Sequence, residues 1–328
     1  MNARPIIIDT APGIDDAVAI ALLHADPSVD VKLVASVAGE VPVEQATQSI
    51  EKLLTFLRQQ TPVAQGASSP LMRPNMFSKQ GRDLDVFDTA NWPTPHRSLL
   101  TVESAVLEER RVLMESERPV TIITLGPLTN IALLLTAFPE VKSRIEQIVM
   151  MVGTTGRGDA TVYGEFNAVC DPEAAGIVFR SELPLVMAGL EVGCKVRLQE
   201  EDLVTIAASG RVGALLVKIL RRQANDKPGS GMRLYSSSAA MYLLEPGLFT
   251  TRRAQVEVEI GSNLTLGATV ANFDVRREVA EGAADTMSPI RSLSRSESAA
   301  VASNATICVD VDVCGLKASF LKRLSQAN

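Results

Sequence analysis

Five short aliphatic runs constrain this chain more than any other feature: Ile6-Ile7-Ile8, Leu33-Val34-Ala35, Val120-Thr121-Ile122-Ile123, Ile148-Val149-Met150 and Leu185-Val186-Met187. Each is apolar at consecutive positions, so both faces of the strand it forms must be covered, as in a parallel sheet packed between helices. Between the runs, segments 15–23, 43–57, 128–135 and 172–179 repeat apolar residues at helical spacing and supply the crossovers. The alternation predicts an α/β fold with a mainly parallel central sheet flanked by helices.

At ~150 residues per domain, 328 residues allow two domains. No clean boundary and no internal repeat divides the chain, so it reads as one domain over 1–328. Segment 68–98, rich in Pro, Ser, Asn and Asp, reads as a loop covering a pocket. Segment 276–303 precedes a final strand at 306–311 and reads as an exposed insertion, a candidate surface for a protein partner. A net charge of -6, from 32 Lys plus Arg against 38 Asp plus Glu with no basic stripe, argues against nucleic acid as a partner. No apolar stretch approaches the ~20 residues that span a bilayer, and the start has no long apolar core of an export signal. A cytoplasmic protein follows as the expectation.

The four cysteines, Cys170, Cys194, Cys308 and Cys314, lack the paired spacing of a zinc or redox motif and read as buried free thiols. Cys308 and Cys314 are expected on one face of a single strand, too far apart to bridge. His24, in an apolar helical pattern, and His96, in a Pro-rich loop, read as structural or solvent-facing.

The densest chemistry follows the first strand, in Ile8-Asp9-Thr10-Ala11-Pro12-Gly13-Ile14-Asp15-Asp16-Ala17. A strand end, a Pro-Gly turn and a helix start bring three carboxylates to the carboxyl edge of the sheet, where open α/β folds bind ligands. Helix capping accounts for one or two of the three. A phosphate loop is disfavoured, since the segment lacks a Gly-rich run and a Lys. A strand-end Asp acting as an aspartyl-phosphate nucleophile fits the paired Asp less well.

This segment resembles the amino-terminal signature of the nucleoside hydrolases, Asp-x-Asp-Pro-Gly-x-Asp-Asp. The resemblance continues through Val37-Ala38-Gly39, Leu125-Gly126-Pro127-Leu128-Thr129-Asn130, Gly156-Arg157-Gly158-Asp159, Glu165-Phe166-Asn167, Asp171-Pro172-Glu173-Ala174-Ala175, Gly247-Leu248-Phe249-Thr250-Thr251 and Cys308-Val309-Asp310-Val311-Asp312. It implies the nucleoside hydrolase fold, a homo-oligomer, and hydrolysis of N-ribosidic bonds around one Ca²⁺, which takes several oxygen ligands at once. By resemblance, Asp16 and the Leu125 carbonyl match calcium ligands. Asp15, Glu165 and Asn167 match groups that grip the ribose hydroxyls, Met151 an apolar contact beneath the sugar, and Asp9 a supporting carboxylate.

The chain departs from the family where the chemistry is concentrated. The family's Asp that is both calcium ligand and general base is Ala11; its leaving-group His and last calcium Asp are Tyr235 and Ser236. Amides of the family pattern become Glu40 and Asp159, its Leu-Asp-Val-Thr Asp becomes Glu191, and an early-loop His-Gly reads Gln80-Gly81. Concerted change of this kind points to divergence rather than one engineered substitution. The expectation is a homologue with a retained pocket for a ribosyl ligand, no calcium at normal affinity, no intact catalytic residue and ordinary calcium-dependent turnover lost. The alternative is an active ribonucleoside hydrolase in which Glu40 and Asp159 hold a displaced cation or supply a new base, unless they are merely solvated or paired with Arg157. Tyr235, Tyr242 and Trp92 are candidates to stack on a base, or simply to pack.

Overall fold

The computed structural model describes residues 3–76, 98–224, 231–273 and 303–326. Its strands are β1 (Arg4–Thr10), β2 (Val29–Ser36), β3 (Val63–Gln65), β4 (Val120–Thr124), β5 (Ile145–Met150), β6 (Leu185–Met187), β7 (Arg197–Leu198), β8 (Met232–Arg233), β9 (Phe249–Val258), β10 (Thr269–Asn272) and β11 (Ala305–Val311). Its α-helices are α1 (Ile14–Ala25), α2 (Val43–Phe56), α3 (Ala105–Glu115), α4 (Thr129–Ala137), α5 (Phe166–Cys170), α6 (Pro172–Phe179), α7 (Leu190–Gly193), α8 (Glu200–Ala208), α9 (Arg211–Ala224), α10 (Ser236–Leu244) and α11 (Val313–Leu324). Among the described residues one nine-stranded sheet runs in the order β10-β9-β11-β6-β5-β4-β1-β2-β3. Pairing is parallel from β3 to β11, and β9 joins antiparallel to both β11 and β10.

Strand alternation decides which core each side chain enters. Ile6 and Ile8 face the layer containing α1, α2 and α8 to α11, whereas Ile7 faces the layer of α3, α4 and α6. Both faces are dry: Ile6, Ile7 and Ile8 are all fully buried, each worth roughly 1.5–3 kcal/mol of transfer free energy. The helices begin where the sequence supplies acceptors. Asp171 caps α6 by accepting from the Ala174 amide, with Pro172 in the first turn. Asp312 likewise accepts from the Gly315 amide at the start of α11.

That last cap corrects one expectation. Cys308 lies on β11, but the strand ends at Val311 and Cys314 falls in α11, so the two do not share a strand face. The alternation of 308–312 stops because Asp312 starts a helix. All four thiols are free, yet only Cys170 and Cys308 are buried; Cys194 is intermediate and Cys314 exposed. His24 is structural: its ring bonds the Ile20 carbonyl and the Thr61 hydroxyl, and burial lowers its pKa. His96, Trp92, Gln80 and Gly81, most of loop 68–98 and nearly all of segment 276–303 lie outside the described residues. No helix among the described residues is long and apolar enough to cross a membrane.

Candidate functional site

Beyond the carboxyl ends of the central strands lies a cavity of about 190 Å³. Larger hollows of about 740 and 780 Å³ open at the amino-terminal strand ends, around Pro5 and Lys32 and around Pro184 and Ala305. The smaller cavity is the better site because the carboxylates converge there. It is lined by Ala11, Pro12, Gly13 and Asp16 from the first turn, Glu40 and Val41 after β2, Leu125 after β4 and Met151 after β5. Asp159, Glu165, Phe166 and Asn167 from the β5–α5 connection, with Tyr235 and Ser236 at the start of α10, complete the wall.

The turns leave room for this convergence. A Cβ on Gly39 would lie 2.8 Å from the Ala11 Cβ, and one on Gly126 would lie 2.6 Å from the Ala11 amide nitrogen. Glycine at both positions lets the chain after β2 and after β4 approach residue 11 at the end of β1. Asn130 ties the neighbouring ends together, donating from Nδ2 to Asp9 Oδ2 at 2.6 Å and to the Ser36 carbonyl at 2.9 Å while accepting from the Ala67 amide.

On the side that the resemblance gives to the sugar, Glu165 caps α5: its carboxyl accepts from the amides of Asn167 at 2.9 Å, Ala168 at 3.1 Å and Gly153 at 2.8 Å. Burial nevertheless raises its pKa to about 8, against the lowering effect of those amides. Asn167 Nδ2 donates to the carbonyls of Leu125 at 3.1 Å and Met151 at 2.8 Å, strapping the ends of β4 and β5.

The cation corner is closed by hydroxyls. Ser236 Oγ donates to Asp16 Oδ1, and Asp16 Oδ2 accepts from the Gly13 amide at 2.8 Å. Asp15 does not line the cavity; it turns to Ser237, accepting from its hydroxyl and amide. Burial pushes Asp16 up to about 7 and Asp15 up to about 6. Calcium requires ~6–8 oxygen ligands. Here the oxygens of the resemblance's ligand set are Asp16, already engaged at both oxygens, the Leu125 carbonyl, already bonded to Asn167, and the Ser236 hydroxyl, while Ala11 offers a methyl. This donor set does not fit the ion. Nor do the described residues contain a cluster of three or more His, Cys, Asp or Glu placed to hold a metal elsewhere.

Glu40 and Asp159 line the same cavity. Asp159 Oδ1 accepts from the Phe166 amide at 2.9 Å, and the guanidinium that bears on it is that of Arg233 rather than Arg157. Arg233 Nη1 donates to the Tyr235 hydroxyl at 2.8 Å, and burial raises that phenol to about 12. Tyr242 instead packs edge-on against Phe249, centroids 5.4 Å apart, and is not a cavity residue. Glu191 also lies outside the lining, accepting from the hydroxyls of Thr154 and Thr155.

Asp9 points into the other layer, toward a residue that motif reading misses. Glu109 on α3 is fully buried, and Asp9 Oδ1 and both Glu109 oxygens have no other partner. A proton shared between the two carboxyls joins Asp9 Oδ1 to one Glu109 oxygen; Asp9 is raised to about 7 and Glu109 well above its ordinary value, in both by burial first. The signal was periodic: Glu109 falls on the apolar face of Ala105, Val112 and Leu113. Ser237 and Arg233 were likewise missed, although the run Ser236-Ser237-Ser238 at a helix start is a visible cue.

Fold and pocket together define a class: an α/β protein whose ligand site stands beyond the carboxyl ends of parallel strands and is walled by carboxylates. Within that class the chain belongs to the family described as inosine-uridine preferring nucleoside hydrolase, which it matches over residues 6–318. It is 40% identical over 273 residues to the non-specific ribonucleoside hydrolase RihC of Escherichia fergusonii, covering 82% of this chain and 88% of that one. A solved inosine-guanosine nucleoside hydrolase is similar with a TM-score of 0.82 at 26% identity, covering 99% of this chain and 98% of the other. A purine-preferring ribonucleoside hydrolase from Gardnerella vaginalis shares the fold with a TM-score of 0.82 at 23% identity, covering 99% of each chain.

Proposed function

We propose that the cavity takes a ribonucleoside sugar-end first and that the chain hydrolyses the N-ribosidic bond with its own side chains rather than through calcium. The observation that carries this reading is the meeting of Asp16, Leu125, Met151, Glu165 and Asn167, from four separate segments, around one cavity of about 190 Å³. That hollow is below the ~300 Å³ of drug-sized sites and suits a pentose. The 40% identity to a protein named a ribonucleoside hydrolase supports the reaction class.

Hydrolysis needs a water at C1′, a group to take its proton and negative charge near the oxocarbenium-like centre. Glu165 and Asn167 grip and orient the sugar, and Asp16 places a carboxyl beside it. Glu40 and Asp159, both at the cavity wall, are the carboxylates that replace the absent base; general-base catalysis is worth ~10²–10⁴-fold. A resident calcium ion has no place in this scheme, because two of its carboxylate ligands are replaced by a methyl and a hydroxyl.

One set of residues favours a second reading. Ala11, Ser236 and Tyr235 together remove the family's base, a metal carboxylate and the leaving-group acid, which favours binding of a ribosyl ligand without turnover. Ribose release from a nucleoside panel, measured with chelator and with added calcium, separates the readings. The first expects release that chelator leaves unchanged and that E40Q/D159N abolishes. Ribose binding without release establishes the second, and release that requires calcium overturns the metal-free scheme. We further propose that the chain works as one domain and in the cytoplasm, as its sequence suggests, and as a homo-oligomer, as its family resemblance implies.

A further inference from the structure

We infer that the ligands this pocket selects are cationic N-ribosides, of which a pyridinium riboside is the simplest, an inference that rests on the ribosyl-binding reading above. Two independent features of the site lead to it. The first is charge: Asp16, Glu40, Asp159 and Glu165 line the cavity, and no Lys, Arg or His is among its described lining residues. Arg233, the nearby cation, stands behind Tyr235 and is held by the Tyr235 hydroxyl. Acidic groups that outnumber the one nearby guanidinium favour a ligand that brings positive charge.

The second feature is the leaving-group end. A neutral nucleoside releases its base as an anion unless an acid protonates it, and the position of the family's His is here the phenol Tyr235, whose ordinary pKa of about 10 makes it a weak proton donor near neutrality. A pyridinium riboside needs none. When its C1′–N bond breaks, the bonding pair returns to the ring nitrogen and neutral pyridine departs. Water forms the new C1′–O bond and gives up one proton, so the products are ribose, pyridine and a proton. Loss of the acid therefore disables cleavage of neutral bases while sparing cationic ones. Tyr235 and Phe166 are the aromatic lining residues, and a cationic ring rests favourably on such faces. Asp159, bonded to the Phe166 amide, is the carboxylate beside them.

Calorimetric titration of the intact protein in chelated buffer, comparing N-ribosylpyridinium with its uncharged isostere C-ribosylbenzene and with ribose, tests the inference. The cationic compound should bind roughly tenfold more tightly than the isostere, and D159N and E40Q should each narrow that ratio to about threefold. Glu40 is exposed, so E40Q remains informative if D159N fails to fold. Equal or tighter binding of the isostere overturns the inference and leaves the ribosyl-binding reading standing. Failure of all three compounds to bind overturns both. Pyridine release, followed separately by absorbance, bears on the hydrolytic reading alone.

Discussion

At residue 16 a single carboxylate takes two protein donors in the corner that the family resemblance gives to an ion. Ser236 Oγ and the Gly13 amide occupy its oxygens, and Ala11 supplies no third anchor. Restoring both anchors tests this directly: A11D/S236D should gain calcium-dependent thermal stability. Saturation at about 100 times Kd adds ~2.7 kcal/mol, or about 4 °C in Tm for a chain of this size. If scanning calorimetry finds no calcium-dependent shift in the double variant, the altered corner is not what excludes the ion. Asn167 makes a second residue-scale prediction. N167A leaves the buried carbonyls of Leu125 and Met151 without their side-chain donor, at a cost of about 1–3 kcal/mol each when no water replaces it. A reduced urea midpoint together with lost ribose affinity is expected; unchanged affinity would remove Asn167 from the sugar wall.

At the scale of elements, β1 and α3 meet through the buried carboxyls of Asp9 and Glu109. Both are raised above their ordinary values of 3.8 and 4.5, so the folded chain holds protons that the unfolded chain releases. Stability from this pair is full below about pH 4 and is lost as pH rises through about 7 and beyond. E109Q keeps the shape and removes one titration. It should raise the unfolding free energy by about 1–3 kcal/mol at pH 8 and by less at pH 5. Urea titrations at the two pH values check it, and an equal change at both, or a loss at pH 8, would show that the pair is held in some other way. These elements also mark the limit of sequence reading. Doubly apolar runs gave away β1, β4, β5 and β6 because burial on both faces leaves no polar alternation. Pro172 and Asp171 gave away α6 because its start is written locally. Glu109 escaped because a buried acid is legible only once its partner across 100 residues is known, and the α11 boundary escaped because 308–314 alternates on both sides of Asp312. The wall positions carried by motif fell round one cavity, whereas Asp15 turned away to a serine that no motif names.

For the whole molecule, the tie between α1 and α10 brings residues more than 200 positions apart to one corner of the pocket. Thermal unfolding of the unaltered chain should accordingly give the same Tm with chelator as with millimolar calcium; a shift of several degrees would show an ion contributing to the fold. An ion that joins distant parts of a chain can be withdrawn by whatever else competes for it. A serine hydroxyl is a covalent part of the chain and cannot, so the ties from Ser236 and Ser237 to α1 do not themselves depend on how scarce or abundant the mineral is.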